Sequence, residues 1–391
     1  MKISHVETLH GDAGWRNFSF LKIATADGIV GWSEFNEGFG TAGLGKVIEA
    51  LGAGLIGEDP RRIGLIAAKL YTKVVTARGG LNHLAMAAIE NALLDIKAKS
   101  LGVPVYDLFG GAIRTRIPLY WSHCGTYRAR DAALCGTPGL RSYDDLAKLG
   151  EEVKRRGFKA LKTNILLAAE GGFTSFNPGF GKSPGFPELN WSEAVLEALR
   201  RQLGTFREAI GPEAGLYLDV NFHFKTEGFR RVAEAVAPFR LSWLELDTYD
   251  PEALAFIRHG APCPIASCEV LTSRREFKRY FETYAMDVAI IDVVWNGMAE
   301  AVKIAGMAEA YEMNVAPHNF YGHLCSMMSA HFSAVVPNFR IMEIDIDSVR
   351  WRDEFYVGLP VIEQGELVLP DRPGWGIDVN EAAVRARPPK S

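Results

Sequence analysis

Residues 215–269 read GLYLDVNFHFKTEGFRRVAEAVAPFRLSWLELDTYDPEALAFIRHGAPCPIASCE. Three short apolar runs, at positions 216–218, 243–244 and 264–266, alternate in this stretch with two amphipathic segments of helical length. Apolar runs that alternate with helices are typical of parallel β/α units, whose strands are buried between layers of helices. The stretch therefore predicts two consecutive strand–helix units of a parallel α/β domain.

The same alternation extends on both sides of this stretch. Further apolar runs lie at positions 160–161, 288–291 and 315–316, and further helical patterns lie at positions 191–210, 273–284 and 298–312. About 250 residues of repeated strand and helix can close into a single TIM-type (β/α) barrel. We therefore expect an α/β fold with a barrel domain over residues 117–358.

A separate α+β unit precedes the barrel. Strand patterns lie at positions 5–9, 18–26 and 29–35, and the last two are joined by the turn sequence Ala26-Asp27-Gly28. A helical pattern at 82–99 follows, and Gly102 lies just past its end, where a left-handed residue commonly stops a helix. We expect an N-terminal domain of residues 1–116, completed by the tail from about residue 359 to residue 391.

Residues 167–190 interrupt the alternation with a segment rich in Gly, Phe, Pro and Ser. Connections of this length without their own secondary structure are uncommon in compact domains, and they are often lids over a binding site. We expect an insertion in the barrel that either covers the site as a lid or is passive.

The composition excludes several classes of protein. Hydrophobic residues make up 48% of the chain, the net charge is −4, and there is no basic stripe that would indicate nucleic-acid binding. No apolar run approaches the roughly 18 residues that span a bilayer, and the N-terminus has no apolar signal segment. Five cysteines without a Cys-x-x-Cys pair favour a reducing compartment. We expect a soluble cytoplasmic protein with no membrane or nucleic-acid partner.

Polar residues follow the apolar runs at regular intervals of 23 to 26 residues. They are Asp219, Glu245, Glu269, Asp292, His318 and Glu343. The interval matches one strand, one helix and their loops, and the active sites of parallel barrels lie at the C-terminal ends of the strands. The spacing therefore predicts that these six side chains face one site.

Three of these residues, Asp219, Glu245 and Glu269, are consecutive carboxylates along the ring. Carboxylates that converge on one point repel each other unless a cation lies between them, and a set of oxygen ligands favours Mg²⁺. The alternative is that each carboxylate separately caps the helix after its strand. We expect a single Mg²⁺ at these three ligands.

Other strand-end residues indicate proton transfer. Asp292 and His318 end adjacent strands, and a carboxylate beside a histidine fixes its tautomer and raises its basicity; a structural hydrogen bond is the alternative. Lys162 ends the second barrel strand, where it would neutralise a substrate carboxylate or act as a base, unless it is exposed to solvent.

Asp219, Asn221 and His223 alternate along the chain. A period of two would place all three side chains on one face of an extended segment, aimed at the metal site. The alternative is that His223 is a polar loop residue just past the strand.

Five segments resemble the enolase superfamily, and in particular its mandelate racemase group. They are residues 85–116, AMAAIENALLDIKAKSLGVPVYDLFGGAIRTR, and the motifs at 218–221, 243–245, 264–269 and 316–318. The resemblance implies an enolase-type, modified TIM-type barrel with an α+β capping domain. It also implies removal of the proton next to a carboxylate with one Mg²⁺ per subunit, and assembly as a homo-oligomer.

Two positions depart from that group's pattern. The second strand reads Lys162-Thr163-Asn164 where the group often has Lys-x-Lys, and Glu245-Leu246-Asp247 stands where it has Glu-Glu-Pro. The pattern is most similar to D-galactonate dehydratases, which carry a histidine two residues beyond the metal aspartate, at the place of Asn221 here. Because asparagine cannot take up a proton at neutral pH, Asn164 disfavours racemisation, which needs a base on each face.

We therefore expect an acid-sugar dehydratase that converts a small carboxylate substrate to a 2-keto-3-deoxy acid. His318, oriented by Asp292, would be the base, and Lys162 would help to stabilise the developing charge. His223 is the first choice for the acid that protonates the departing hydroxyl, and Glu343 is the second. Substrate contacts are expected from Asn164, Asn221, Trp15, Arg16 and an asparagine amide at the Asn319–Phe320 step.

Two alternatives stay open at this point. One is an epimerase, racemase or cycloisomerase acting on a carboxylate with the same first step. The other is a catalytically silent barrel that binds a metal or a ligand, and it predicts no exchange of an α-proton with any acid.

Overall fold

The structure is a computed structural model that describes residues 1–38, 40–178 and 191–389. It consists of an N-terminal α+β unit, a parallel barrel and a C-terminal tail. Within these ranges no helix combines the length and the apolar character needed to cross a bilayer.

The N-terminal unit is an antiparallel sheet followed by three helices. The elements are β1 (Ile3–Asp12), β2 (Asn17–Thr25), β3 (Val30–Phe35), α1 (Leu44–Ala53), α2 (Ile63–Val74) and α3 (Leu81–Leu101). The three predicted strands are present, and they are ordered β1-β2-β3 in the sheet. Helix α3 ends at Gly102, which adopts φ 70° and whose N–H bonds the carbonyl groups of the last turn, so the predicted stop signal is confirmed.

Strands and helices alternate through the rest of the chain. The strands are β4 (Arg116–Ser122), β5 (Ala160–Thr163), β6 (Leu166–Ala169), β7 (Gly172–Ser175), β8 (Gly215–Asp219), β9 (Trp243–Glu245), β10 (Ile265–Ser267), β11 (Val288–Asp292), β12 (Asn314–His318) and β13 (Met342–Asp345). The helices are α4 (Thr126–Arg130), α5 (Ala132–Cys135), α6 (Tyr143–Arg155), α7 (Glu193–Ile210), α8 (Thr226–Val236), α9 (Pro251–Gly260), α10 (Ser273–Glu282), α11 (Val293–Asn296), α12 (Met298–Ala310) and α13 (His323–Val335).

Eight of these strands form one parallel sheet, in the order β12-β11-β10-β9-β8-β5-β4-β13. The sheet closes where Val315 N–H donates to Asn338 O at 3.0 Å and Arg340 N–H donates to Val315 O at 2.9 Å, which joins β12 to the segment before β13. The predicted TIM-type barrel with an α+β capping domain is therefore confirmed. All six apolar runs predicted as barrel strands are strands.

Large aromatic and small aliphatic side chains fill the barrel interior. They are Tyr120, Ala160, Tyr217, Trp243, Ala266, Val288, Ile290, Ala316 and Ile341, each on or beside a barrel strand. The rings of Tyr217 and Trp243 stack with centroids 3.9 Å apart. This packed core makes the barrel a solid support for polar side chains at its strand ends.

The insertion predicted at 167–190 is partly regular. Strands β6 and β7 form an antiparallel hairpin in which Leu166 pairs with Ser175, so the expectation of a segment without secondary structure is wrong for this part. Residues 179–190 lie outside the described residues. The lid function stays a prediction.

The tail contacts both units. Its elements are β14 (Tyr356–Val357), β15 (Val361–Glu363), β16 (Glu366–Val368), β17 (Asp378–Val379) and α14 (Glu381–Ala386). Strand β16 pairs antiparallel with barrel strand β4, whereas Arg385 of α14 bonds Glu7 of β1 at 2.6 Å. The tail thus extends the barrel sheet in addition to covering the capping domain, and the exact domain boundaries stay a prediction.

Buried polar side chains fix the capping domain on the barrel. Asn91 of α3 donates to Val293 O at 3.0 Å and accepts from Met298 N–H at 2.9 Å. Glu34 of β3 accepts the N–H groups of Gly322 and Cys325 at the start of α13, at 2.6 and 3.0 Å. Burial raises the pKa of Glu34 to about 7. These contacts hold cap loops over the strand ends.

Candidate active site

A cavity of 920 Å³ lies between the C-terminal ends of the barrel strands and the capping domain. Strand ends contribute Lys162, Asn164, Asp219, Asn221, Glu269, His318 and Glu343, the cap contributes Trp15 and Arg16, and hairpin strand β7 contributes Phe173, Thr174 and Ser175. The strand-end spacing therefore located the cavity, and most of the predicted site residues line it.

Lys162 lies at the centre of a buried group of carboxylates. Its Nζ is 2.7 Å from Glu245 Oε1, 3.0 Å from Glu343 Oε1 and 3.7 Å from Asp219 Oδ2. The lysine side chain is only 2% exposed, so it is not the solvated surface residue that was the alternative. Burial opposes its charge, but the surrounding carboxylates hold the pKa of Lys162 well above its usual range. Lys162 is therefore a fixed positive charge in the cavity wall.

The three predicted metal ligands differ in their contacts. Asp219 and Glu269 line the cavity, and Glu245 pairs with Lys162 and accepts from Trp243 Nε1–H at 2.9 Å. Burial, together with the charges of Asp219 and Glu343, raises the pKa of Glu245 to about 7 against the opposing effect of Lys162. Burial and nearby carboxylates also raise the pKa of Glu269. Helices α8, α9 and α10 are capped by Lys225, Asp250 and Thr272, so the N-capping alternative is wrong.

The donor chemistry of this group fits a hard divalent cation, because burial first and neighbouring carboxylates second raise the pKa values of Glu245 and Glu269, and a cation between the oxygens would stabilise their ionised forms. As the side chains stand, no three His, Cys, Asp or Glu residues within the described ranges are arranged to hold one metal ion together. Lys162 supplies a positive charge to two of the three candidate ligands. The ligation of Mg²⁺ by Asp219, Glu245 and Glu269 stays a prediction.

His318 and Asp292 form a close pair at the ends of β12 and β11. His318 Nδ1 lies 2.6 Å from Asp292 Oδ2, and the carboxylate also accepts from Tyr321 Oη at 2.8 Å and from Trp295 N–H at 2.8 Å. His318 Nε2 is 3.6 Å from Glu269 Oε2. Burial would lower the pKa of His318, but Glu269, Asp292 and Glu343 together raise it to about 10. The geometry agrees with the predicted dyad.

Glu343 is tied into the same network. Besides pairing with Lys162, it accepts Asn319 N–H at 2.8 Å and the Ser122 hydroxyl. Burial opposes its ionisation, yet Lys162 and the neighbouring histidines hold the pKa of Glu343 well below its usual range. A carboxyl group held ionised is a poor proton donor, so the structure gives little support to Glu343 as the acid.

Two asparagines face the cavity as predicted. Asn164 accepts from Thr126 Oγ1 at 2.9 Å, and its amide nitrogen is 3.4 Å from Asp219 Oδ2. Asn221 adopts φ 43° and donates its N–H to Asp219 Oδ1 at 2.9 Å. The third amide, expected at the Asn319–Phe320 step, is engaged in the barrel wall: Asn319 donates to Ser326 Oγ at 3.1 Å and Glu343 O at 2.9 Å, and Phe320 lines the cavity, so this substrate contact stays a prediction without support from the geometry.

The structure also disagrees with the predicted position of the His223 side chain. Strand β8 ends at Asp219, and the left-handed conformation of Asn221 breaks the period of two, so the three side chains do not share one extended face. His223 is not among the described residues that line the cavity; its ring meets Phe176 edge-on with centroids 5.8 Å apart. Burial lowers the pKa of His223 to about 4. The structure does not support His223 as the acid.

Arg16 of the cap reaches the cavity, but it is engaged rather than open. It donates to Phe320 O and Tyr127 Oη and lies 3.6 Å from Asp345 Oδ2. The neighbouring Trp15 ring packs on Tyr127 with centroids 4.7 Å apart. Both side chains line the cavity, and their contact with a substrate stays a prediction.

The sequence analysis missed a second histidine–carboxylate pair in this cavity. His123 Nδ1 lies 2.8 Å from Asp345 Oδ1, and the imidazole stacks on Tyr127 with centroids 4.7 Å apart. His123 follows the apolar run of β4, and Asp345 lies two residues after Glu343 on β13. The strand-end rule, applied to the first barrel strand, would have found His123, and the period of two would have found Asp345.

Comparisons with known proteins agree with the fold. Residues 6–110 match the model of the mandelate racemase / muconate lactonizing enzyme N-terminal domain, and residues 145–383 match the enolase C-terminal domain-like model. A D-galactonate dehydratase from Ralstonia nicotianae (strain ATCC BAA-1114 / GMI1000) is 31% identical, over 99% of this chain and 94% of that protein.

Two solved structures from Burkholderia xenovorans strain LB400 are more similar in sequence. One is described as a "putative L-alanine-DL-glutamate epimerase"; it has 47% identity and a TM-score of 0.97, over 100% of this chain and 99% of that one. The other carries the same description and is bound to magnesium and fumarate. It has 48% identity and a TM-score of 0.96, over 100% of this chain and 96% of that one.

Proposed function

The chain belongs to the mandelate racemase / muconate lactonizing enzyme family of the enolase superfamily, and from this premise we propose that it is an acid-sugar dehydratase. The substrate would be an aldonate or aldarate, and the product a 2-keto-3-deoxy acid. The observation that carries the proposal is the His318–Asp292 pair, 2.6 Å apart, in the wall of a cavity that also holds Lys162.

The first step in this proposal is removal of the proton next to the substrate carboxylate. His318 Nε2 faces that proton, because Nδ1 is occupied by Asp292. Asp292 holds the ring in one orientation and stabilises the imidazolium that forms, as carboxylates do beside catalytic histidines. Lys162 places a fixed positive charge where negative charge develops on the substrate.

We include Mg²⁺ as the cofactor, held by Asp219, Glu245 and Glu269. When bound, the ion would act as a Lewis acid that favours ionisation of the carbon next to the substrate carboxylate. The buried carboxylates and their raised pKa values support this assignment. The family neighbour bound to magnesium and fumarate supports it as well, since that pairs the metal with a small carboxylate.

Dehydration is preferred over epimerisation because of Asn164 on β5. Asn164 faces the cavity beside Asp219, at a position where the resemblance places a lysine base in racemases. The relative named D-galactonate dehydratase, 31% identical over almost the whole chain, supports the same reaction. Epimerisation of a carboxylate is the second candidate, and it is favoured by the 48% identity to the structure described as an epimerase.

A substrate screen tests the proposal. The purified protein would be incubated in D₂O with Mg²⁺ and a library of aldonates and aldarates, and both 2-keto acid formation and deuterium at C2 of the recovered acid would be measured. Dehydration predicts a 2-keto-3-deoxy acid from at least one acid sugar. Deuterium at C2 of a product with the opposite configuration, without any 2-keto acid, would show that the reaction is epimerisation and not dehydration.

The assignment of the Mg²⁺ ligands is tested separately, with a ligand variant and a matched control. Asp219→Asn should raise the Mg²⁺ concentration needed for half-maximal activity, and it should reduce the rise in Tm that Mg²⁺ produces in the unmodified protein, because ligands that bind only the folded state stabilise it. The matched control is Asp250→Asn, which changes the N-cap of α9 outside the cavity. An equal response to Mg²⁺ in both variants would remove Asp219 from the metal site.

A further inference from the structure

We propose that His123, oriented by Asp345, is the catalytic acid that protonates the departing hydroxyl group. The inference rests on the proposed dehydration and deepens it. It assigns the second proton-transfer role to a histidine on the first barrel strand, in place of His223 and Glu343, which the geometry and the charge state do not favour.

The first support is the geometry of the pair. His123 Nδ1 lies 2.8 Å from Asp345 Oδ1, a distance typical of a strong hydrogen bond, so Nε2 is the ring nitrogen left for a ligand in the cavity. Asp345 is 4% exposed and is itself fixed by the Tyr127 hydroxyl, which donates to Oδ2 at 3.0 Å. The arrangement repeats, at the end of β4, the relation of Asp292 to His318.

The second support is the rigidity of the ring. His123 adopts φ 47°, in the left-handed region that residues other than glycine rarely enter, and its imidazole stacks on Tyr127 at an angle of 22°. Backbone outliers of this kind are concentrated at functional sites, where the surrounding structure keeps a side chain in a required direction. Here the conformation aims His123 into the cavity.

The third support is the position of His123 relative to the base. The Phe320 ring neighbours both imidazoles, with its centroid 6.5 Å from that of His123 and 4.9 Å from that of His318. Ser122, next to His123, donates to Glu343, which in turn pairs with Lys162 at 3.0 Å. The two histidines line the same cavity as Lys162, which is the arrangement that the proposed division of roles requires.

The proposed dehydration transfers one proton from C2 to His318 and one proton from His123 to the leaving oxygen. The C2–H bond breaks and its proton passes to His318 Nε2, while the electron pair is delocalised into the substrate carboxylate; in the next step this pair forms the C2=C3 bond. The C3–O bond breaks as His123 Nε2 gives a proton to that oxygen, and the group leaves as water. The resulting enol becomes the 2-keto-3-deoxy acid by moving its hydroxyl proton to C3 through solvent.

The test compares two leaving groups in one variant. The probes are an acid sugar that the screen identifies and its 3-deoxy-3-fluoro analogue, whose fluoride leaves with little need for protonation. His123→Gln should lower the release of water by roughly 10²-fold or more, a typical contribution of a positioned acid, and should change the release of fluoride by less than about threefold. Turnover of the fluoro compound also shows that the variant is folded and keeps its base.

The matched control is His323→Gln. His323 lies 2.7 Å from Asp353 in a third histidine–carboxylate pair, and it is not among the described residues that line the cavity. This variant should release water and fluoride at nearly the same rates as the unmodified protein. If His123→Gln slows the release of water and the release of fluoride equally, or slows neither, His123 is not the acid. If the unmodified protein exchanges the α-proton but releases no 2-keto acid, dehydration itself is wrong, and the acid role is overturned with it.

Discussion

Two histidines, each paired with a buried carboxylate, line one cavity, and the pairs differ in the charges around them. His318 lies between Asp292 at 2.6 Å and Glu269 at 3.6 Å, so an added proton is stabilised by two carboxylates. His123 Nδ1 has Asp345 Oδ1 at 2.8 Å and Ser122 Oγ at 3.3 Å, and the other oxygen of Asp345 lies 3.6 Å from the Arg16 guanidinium. The two pairs therefore share one geometry but not one environment: His318 lies between two carboxylates, whereas the carboxylate beside His123 also faces a guanidinium, and we expect the pairs to have different roles.

The largest expected effect concerns the pair in the more negative environment. His318→Asn should lower the rate of 2-keto acid formation by roughly 10³-fold or more, because the base that starts the reaction is lost. The rate would be measured under saturating substrate and Mg²⁺, with far-ultraviolet circular dichroism as the check on folding. A fully active His318→Asn variant would remove His318 from the base role.

Asp292→Asn should produce a smaller loss. The amide still accepts a hydrogen bond from His318, but it no longer stabilises the imidazolium, so we expect a fall in kcat of roughly 10²-fold, the low end of acid–base contributions. KM should change little, because Asp292 is fully buried behind His318 and is not among the described residues that line the cavity. A change confined to KM would assign Asp292 to substrate binding.

Asp345→Asn should lower the rate of dehydration by a smaller factor than Asp292→Asn does. The difference between these two variants measures how far the two pairs differ. Arg16 and Tyr127 already share the charge of Asp345, and Ser122 Oγ lies 3.3 Å from the same ring nitrogen of His123. We expect about a tenfold loss of dehydration, equivalent to about 1.4 kcal/mol of barrier, while fluoride release is retained. A loss as large as that of Asp292→Asn would mean that the two carboxylates have equivalent roles.

The smallest effect on activity is expected at His223. Its pKa of about 4 in the folded state is below the usual value, so between pH 6.5 and pH 4 the unfolded chain binds a proton that the folded chain does not. The stability due to neutral His223 is complete above pH 6.5 and is lost as the pH falls through 4. The unmodified protein should lose unfolding free energy between pH 7.5 and pH 5. In His223→Gln this loss should be smaller by about 2 kcal/mol.

Activity of His223→Gln at pH 7.5 should stay within about twofold of the unmodified protein, since solvent-excluded side chains outside a cavity act on catalysis only indirectly. The free energy of unfolding would be measured by urea denaturation at both pH values. An unchanged dependence on pH would contradict the buried, neutral state of His223, and loss of dehydration alone would return His223 to the acid role.

Much of the fold could be predicted from the sequence, because barrel strands are short apolar runs at a constant interval. The ends of the strands at Asp219, Glu245, Asp292 and His318 agree with the prediction. The same rule found Lys162 in the cavity wall, though its contacts with three carboxylates depend on packing between strands 83 and 181 residues apart along the chain. Local pattern carries no information on such distances.

The errors have local causes. The prediction for His223 assumed that β8 continues past Asp219, whereas Asn221 takes a left-handed conformation that no pattern of apolar residues reveals. Asn319 was expected in the cavity, but it lies in the barrel wall, where it hydrogen-bonds the backbone and side chain of Glu343. His123 was missed because it follows the first barrel strand, whose end was not among the six predicted strand ends.

One isotope measurement tests the division of roles between the two pairs most directly. His318→Asn and His123→Gln would be incubated with the substrate and Mg²⁺ in D₂O, and deuterium at C2 of the recovered substrate would be compared with 2-keto acid released. We expect His318→Asn to lose both signals and His123→Gln to lose only the 2-keto acid. Deuterium retained in His318→Asn, or lost in His123→Gln, would contradict the assignment of base and acid.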